Sequence, residues 1–130
     1  MSNPAVQRWG SGGPWEERYG YSRVVRAGDL LLTAGCTATV DGVVTGIGDP
    51  RAQALTAFGI AVEALAGAGA AVSDVIRTRM YVTDVSKWEE VARVHGEVFG
   101  EIRPATSIVE VAKLIDADAQ IEIEADVYVA

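Results

Sequence analysis

Apolar and polar residues alternate most regularly in the last segment of the chain. Between residues 121 and 129 every second side chain is apolar, and the positions between them hold Glu122, Glu124, Asp126 and Tyr128. A period of two residues is typical of a β-strand with one buried face. The pattern predicts a strand here and another over residues 106–114.

Two central segments instead repeat at helical spacing. In the first, the apolar stripe is Leu55, Phe58, Val62 and Leu65, with Asp49 and Pro50 suited to the N-cap and the first helical position. This predicts a helix that ends near residue 66. In the second, the stripe is Trp88, Val91, His95 and Val98, Ser86 and Glu89 form a capping box, and Gly100 marks the end.

Shorter β segments fill the rest of the chain. Residues 21–26 and 29–33 flank a turn at Gly28, and Asp41-Gly42 divides residues 39–45 into a second hairpin. Residues 75–83 form a strand between the helices. Its predicted buried face holds Ile76, Met80 and Val82, and its other face holds Arg77, Arg79 and Tyr81.

The order β-β-(β)-α-β-α-β-β predicts an α+β fold of two layers, with both helices on one face of the sheet. The other face would carry Arg77, Arg79, Tyr81, Glu110, Glu122, Glu124 and Tyr128. Two interpretations are open for this face. It is either a solvated surface with cross-strand ion pairs or an interface with another subunit.

Composition limits the domain number and the partners. A chain of 130 residues fits one domain, which we place at 21–130 behind an N-terminal arm at 1–20. The net charge of −7 disfavours nucleic-acid binding, and no apolar run suggests a signal peptide or a membrane span, so we expect a cytoplasmic protein. One cysteine and one histidine exclude an internal disulfide and a metal site built from cysteine or histidine clusters.

Three segments carry motifs of a known family. They are Tyr21 with Leu32-Thr33-Ala34-Gly35, the strand 77–84, and Arg103-Pro104-Ala105-Thr106-Ser107-Ile108-Val109-Glu110-Val111-Ala112 followed by residues 121–125. Together they resemble the Rid (reactive intermediate deaminase) proteins, also called the YjgF family. The resemblance implies a chorismate-mutase-like two-layer sandwich with a mixed sheet. It also implies a homotrimer around a central β-barrel, with ligand clefts between subunits.

For the deaminase branch of that family, the resemblance implies hydrolysis of imines or enamines such as 2-aminoacrylate, without a metal or an organic cofactor. It assigns the water-positioning glutamate to Glu122, the hairpin glycine to Gly35 and the tyrosine at the cleft mouth to Tyr21. The position of the arginine that clamps the substrate carboxylate holds Thr106, and Ala92 replaces an asparagine of some members. Threonine cannot make the bidentate charged pair of a guanidinium, a loss of about ten- to a hundredfold in binding.

Several other residues are candidates with two interpretations each. His95 is either a packed residue of the apolar stripe or an acid or base at the cleft edge. Cys36 lines the cleft next to Gly35, as an inert thiol or as a nucleophile. Arg103 or Arg79 could replace the missing clamp or remain a surface charge, and Trp88 and Ile108 are expected at the wall of the substrate site.

These residues predict a Rid-type enzyme in which Glu122 assists water attack on a small imine, enamine or activated carbonyl, and whose substrate lacks an α-carboxylate. The alternative is a trimer that binds a small molecule, or acts as a chaperone, without catalysis. Cleavage of RNA, a third activity associated with the family, is disfavoured by the acidic charge and by the lack of a basic patch.

Overall fold

The computed structural model describes residues 3–130, which form a mixed β-sheet with helices packed against it. The strands are β1 (Val6–Trp9), β2 (Val24–Ala27), β3 (Leu30–Thr33), β4 (Thr39–Val40), β5 (Val43–Val44), β6 (Val75–Val82), β7 (Ala105–Glu110) and β8 (Ile121–Tyr128). The helices are α1 (Pro14–Tyr19), α2 (Pro50–Gly67) and α3 (Trp88–Phe99). Single 3-10 turns lie at Val72–Asp74 and Val85–Lys87.

The main sheet has the strand order β1-β2-β3-β8-β6-β7, and β4 and β5 form a separate ribbon. The β6–β7 pair is parallel, and the other pairs in the main sheet are antiparallel. One core cluster joins α2 and α3 to the same face of the sheet; it includes Phe58, Leu65, Val91, Val94, Ile121 and Ile123. The predicted α+β fold, with two helices over one face of a sheet, is confirmed.

The period-two pattern of the last strand is also confirmed, because the apolar residues of β8 are buried and the polar ones between them are not. Both predicted hairpins are present. In the second one, Asp41 and Gly42 have φ values of 51° and 79°, the left-handed backbone that a two-residue turn of this kind requires. Strand β7 ends at Glu110, four residues before the predicted end.

Helix α2 begins as predicted, since the Asp49 carboxylate accepts a hydrogen bond of 3.0 Å from the backbone N–H of Ala52. Its predicted apolar stripe is partly wrong: Leu55 is exposed, whereas Ala54, Ala57 and Ala61 are buried. Small side chains let the helix approach the sheet closely, so the alanine face packs inward and the larger Leu55 stays outside.

The predicted inward face of the central strand is wrong at its first position. Ile76 is exposed because the β6–β8 register shifts between Val75 and Arg77. The shift turns Val75 inward and leaves Thr78 fully buried, facing the helices. An isolated strand pattern cannot indicate such a bulge.

Three further predictions near α3 need correction. The Ser86–Glu89 capping box is absent: Lys87 is the N-cap, and Ser86 lies in the preceding turn with its hydroxyl donating to Asp84. Trp88 is exposed at the first position of the helix. Glu110 pairs in register with the inward-facing Val82 and accepts a hydrogen bond from the N–H of Val85, so it does not belong to the outer face of the sheet.

The N-terminal segment is more regular than the predicted arm. Residues Val6–Trp9 add an edge strand to β2, and Pro14–Tyr19 form a short helix. None of residues 3–20 is buried, although Trp9 packs partly against the core. The domain boundary near residue 20 stays a prediction. Among the described residues, no helix combines the length and the apolarity needed to cross a membrane.

Candidate functional site

The carboxylate of Glu122 lies against the backbone of the segment that follows β3. Cys36 makes two backbone hydrogen bonds to Ile123, the residue that follows Glu122 in β8. The Cys36 N–H donates to the Ile123 carbonyl at 2.7 Å, and the Cys36 carbonyl accepts from the Ile123 N–H at 2.9 Å. This two-bond bridge brings Gly35 beside Glu122. A methyl group on Gly35 would come within 2.7 Å of the Glu122 carboxyl carbon. The absence of a side chain at position 35 therefore leaves room for the carboxylate.

A guanidinium holds the same corner from the other side. Arg23 Nη1 donates to the Gly35 carbonyl at 2.6 Å and to Cys36 Sγ at 3.4 Å. Burial raises the pKa of Glu122 above its usual value of 4.5, the charge of Glu124 adds to that increase, and Arg23 opposes it. A carboxylate that binds its proton more tightly than usual is a better base toward water.

Cys36 is buried in this corner, and burial raises the pKa of its thiol despite the nearby Arg23. A nucleophilic cysteine needs a depressed pKa and access to substrate. The surroundings of Cys36 therefore favour the inert thiol over the nucleophile.

The carboxylates further along β8 have other partners. Arg79 lies 3.2 Å from the Asp126 carboxylate and 3.7 Å from that of Glu124, and the Tyr81 hydroxyl donates to Glu124 at 2.6 Å. The hydrogen bond to Glu124 raises the pKa of Tyr81. Arg79 is thus engaged by Glu124 and Asp126 and is neither a cross-strand partner of Glu122 nor a free clamp.

The Thr106 side of the candidate site is uncharged. Thr106 is exposed on β7, the edge strand of the sheet, and its hydroxyl lies 2.7 Å from that of the buried Thr78. Thr78 in turn lies 2.7 Å from Nε2 of His95. The imidazole packs against Phe58 and Phe99, and burial lowers its pKa.

Within one chain, Thr106 and Glu122 do not converge. Thr106 pairs with the inward-facing Thr78, whereas Glu122 pairs with Tyr81, which faces the other side of the sheet. The two positions lie two strands apart and are offset by three residues along β6. Their backbones are therefore about 14 Å apart. The predicted site residues therefore fall into two groups, a Glu122 corner (Arg23, Gly35, Cys36, Glu122) and a Thr106 edge (Thr78, His95, Thr106).

The remaining predicted residues lie around these groups. Tyr21 is exposed, two positions before Arg23. Ile108 is half-buried on the same face of β7 as Thr106. Arg103 is exposed, with a φ of 57°, in the turn that leads into β7, and Trp88 is exposed at the start of α3.

Arg23 and Thr78 are site residues that the sequence predictions missed. For Arg23 a signal existed, because the β2–β3 register counted outward from the turn places Arg23 opposite Ala34, next to the hairpin glycine. For Thr78 the signal was a hydroxyl at a position that alternates with Arg77 and Arg79 and so faces the helices. In the described part of the chain, no group of three or more His, Cys, Asp or Glu side chains is arranged to hold a metal ion.

Comparison with known proteins identifies the family. The family profile described as "Endoribonuclease L-PSP" matches residues 15–129. A crystal structure from Mycobacterium tuberculosis, described as a member of the YjgF/YER057c/UK114 family, superimposes with a TM-score of 0.87 at 47% identity, covering 95% of this chain and 99% of that one.

Two curated relatives agree with this result. An uncharacterized protein of Streptomyces coelicolor is 41% identical over 98% of this chain and 96% of its own. A protein of Dermatophagoides farinae named 2-iminobutanoate/2-iminopropanoate deaminase is 32% identical over 84% of this chain and 85% of its own. With the motifs at Gly35, residues 103–112 and Glu122, these matches establish that the chain belongs to the YjgF, or Rid, family.

Proposed function

We propose that this protein is a cytoplasmic enzyme that hydrolyses a small imine, enamine or activated carbonyl metabolite. In the imine reaction, Glu122 takes a proton from water as the water oxygen attacks the imine carbon. The nitrogen takes up a proton, the C–N bond breaks, and a carbonyl compound and ammonia leave. The deaminase name of one relative supports this class of reaction for the family.

The observation that carries the proposal is the position of Glu122. Its carboxylate is half-buried, lies against a glycine that leaves room for it, and has a raised pKa. Arg23 supplies a positive charge nearby without forming an ion pair of 4 Å or less with it. A carboxylate kept free of a direct partner can accept a proton from a bound water.

The complete site in this proposal is shared by two chains of a homotrimer with a central β-barrel. The outer face of the sheet supports such an assembly, because Leu30, Leu32 and Tyr128 expose about half of their surface there. Exposed apolar clusters on a small domain commonly mark an interface. The 14 Å between the two groups of one chain also fits a cleft in which the Thr106 edge of one subunit faces the Glu122 corner of the next.

Replacement of the clamping arginine by Thr106 indicates the substrate. A hydroxyl at that position suits an uncharged group better than a carboxylate. We therefore expect imines without an α-carboxylate to be turned over faster than 2-aminoacrylate or 2-iminobutanoate.

The test compares Glu122→Gln with Glu124→Gln, the next outward-facing glutamate on the same strand. Amine oxidases and amino-acid oxidases generate imines without and with a carboxylate in situ, and release of ammonia and carbonyl product is measured above the spontaneous rate. Glu122→Gln should lower turnover about a hundredfold or more. Glu124→Gln should lower it far less, because burial, the larger cause of the raised Glu122 pKa, is kept.

Two outcomes would contradict the proposal. If the wild type binds these compounds but never exceeds the spontaneous rate, the protein is a binding trimer. If a purified sample instead cleaves RNA, and Glu122→Gln leaves that cleavage intact, the activity belongs to another site. Sedimentation of the wild type tests the assembly, and a monomer would rule out the shared cleft.

A further inference from the structure

Thr78 links two side chains from different elements by hydrogen bonds. We call this row of three residues, His95, Thr78 and Thr106, the relay. Its side chain is 1% exposed, and its hydroxyl oxygen lies 2.7 Å from Nε2 of His95 on α3 and 2.7 Å from Oγ1 of Thr106 on β7. A buried hydroxyl needs such partners, because an unpaired one loses its hydration without compensation. Here the partners also connect the interior to an exposed position.

The number of protons determines which group donates and which accepts in the relay. A hydroxyl has one proton, and that of Thr78 is donated to Thr106. Thr78 can then only accept from His95, so Nε2 of the imidazole carries the ring proton. Thr106 accepts from Thr78 and donates in none of the side-chain hydrogen bonds of the described residues, so its own proton is available to a ligand.

The two ends of the relay, His95 and Thr106, lie in different surroundings. The imidazole centroid lies 5.7 Å from the ring of Phe58 and 4.8 Å from that of Phe99, and burial, without a contribution from any charged group, lowers its pKa. His95 is therefore neutral near neutral pH and has a single ring proton. Thr106, at the other end, is exposed on the edge strand.

We propose that Thr106 is a hydrogen-bond donor to the substrate, and that Thr78 and His95 are positioning residues that hold its hydroxyl in the donating orientation. This inference rests on the proposed function, in which the Thr106 edge faces the substrate. The group recognised is an uncharged acceptor such as an amide or ketone oxygen. Donors linked in one direction polarise each other, which strengthens the last bond.

The first test reads the histidine directly. His95 is the single histidine of the chain, so its ring nitrogens can be assigned without ambiguity by 15N NMR. The wild type should show the Nε2–H tautomer at neutral pH, and Thr78→Val should shift the tautomer balance. A wild-type Nδ1–H tautomer would overturn the inference, because Thr78 would then donate to His95 and Thr106 could not be its acceptor.

The second test measures affinity by NMR titration with 2-oxobutanamide, an uncharged carbonyl probe. Thr106→Val and Thr78→Val should each weaken binding about five- to tenfold, and the double variant should lose no more than the larger single loss. Thr106→Ser, which keeps the hydroxyl, should restore binding. Additive losses, or no binding to the wild type, would contradict the relay.

Thr33→Val is the matched control. Thr33 is also a buried threonine of the sheet, and its hydroxyl accepts from the N–H of Ala125, outside the relay. Its replacement should lower stability and leave both the His95 spectrum and the probe affinity unchanged. Because neither measurement needs turnover, an active Glu122→Gln would refute the proposed function while leaving the tautomer and the relay intact.

Discussion

The Glu122 corner and the Thr106 edge differ in charge although both lie on one sheet. The corner combines a half-buried carboxylate, a guanidinium and a glycine backbone, whereas the edge contains two hydroxyls and a neutral imidazole. Charged groups are suited to proton transfer, and an oriented neutral donor is suited to recognition. In the proposed function, the chemical step and the choice of substrate would therefore lie on separate elements.

The separation has a structural cause. The Cys36–Ile123 bridge holds Gly35 beside Glu122, on the outward-facing side of β8. The parallel β6–β7 register places Thr106 beside Thr78, on the side of the sheet that faces the helices. Among the described residues, no side-chain hydrogen bond joins the two groups. Substitutions at one should leave the other intact, and Gly35→Ala tests that independence.

The largest effect is expected from Gly35→Ala. The added methyl group would displace the Glu122 carboxylate, so turnover should fall about a hundredfold, as in Glu122→Gln, while 2-oxobutanamide binding at the Thr106 edge persists. Gly59→Ala is the control, because nothing lies within 4 Å of a methyl group at that helix position. It should raise stability by about 0.5–1 kcal/mol in thermal unfolding and retain turnover.

A smaller effect is expected from Thr106→Arg, which adds a charge to the neutral edge. The guanidinium can pair with a substrate carboxylate, so turnover of 2-iminobutanoate should rise about ten- to a hundredfold. Thr106→Val, which removes the hydroxyl without adding a charge, should give no such gain. Equal rates for wild type and Thr106→Arg would show that Thr106 does not face the substrate carboxylate.

The smallest effect concerns stability and pH. The pKa of Glu122 is raised in the folded protein, so the folded state binds this proton more tightly than the unfolded state does. The wild type then loses stability as the pH rises from the usual value of 4.5 through the higher folded value. Glu122→Gln removes that loss, so its free energy of unfolding at pH 7 should exceed that of the wild type. The difference should be less than about 1 kcal/mol, because the group is partly hydrated. At pH 4 the two proteins should be equally stable. Denaturant titrations at both pH values check the sign.

Much of the fold could be predicted from local patterns. The alternation in β8, the Asp49-Pro50 start of α2 and the Asp41-Gly42 turn depend on neighbouring residues alone, and all three are confirmed. The errors at Leu55, Ile76 and Glu110 have another origin. Each depends on which neighbour packs against the residue or on a bulge in the sheet, which no short-range period records.

The candidate site divides in the same way. Glu122 and Gly35 could be selected from motifs along the chain, because their residue types and spacing belong to the family pattern. The register of the first hairpin could have placed Arg23 beside Gly35. The partners of Thr78 could not be found from spacing, since His95 lies on a helix and Thr106 on another strand. Residue order thus specified the elements and the family, because both depend on local periodicity and motif. Packing of distant segments determined which carboxylate remained free and which hydroxyl faced outward, because hydrogen-bond direction and burial arise only when those segments meet.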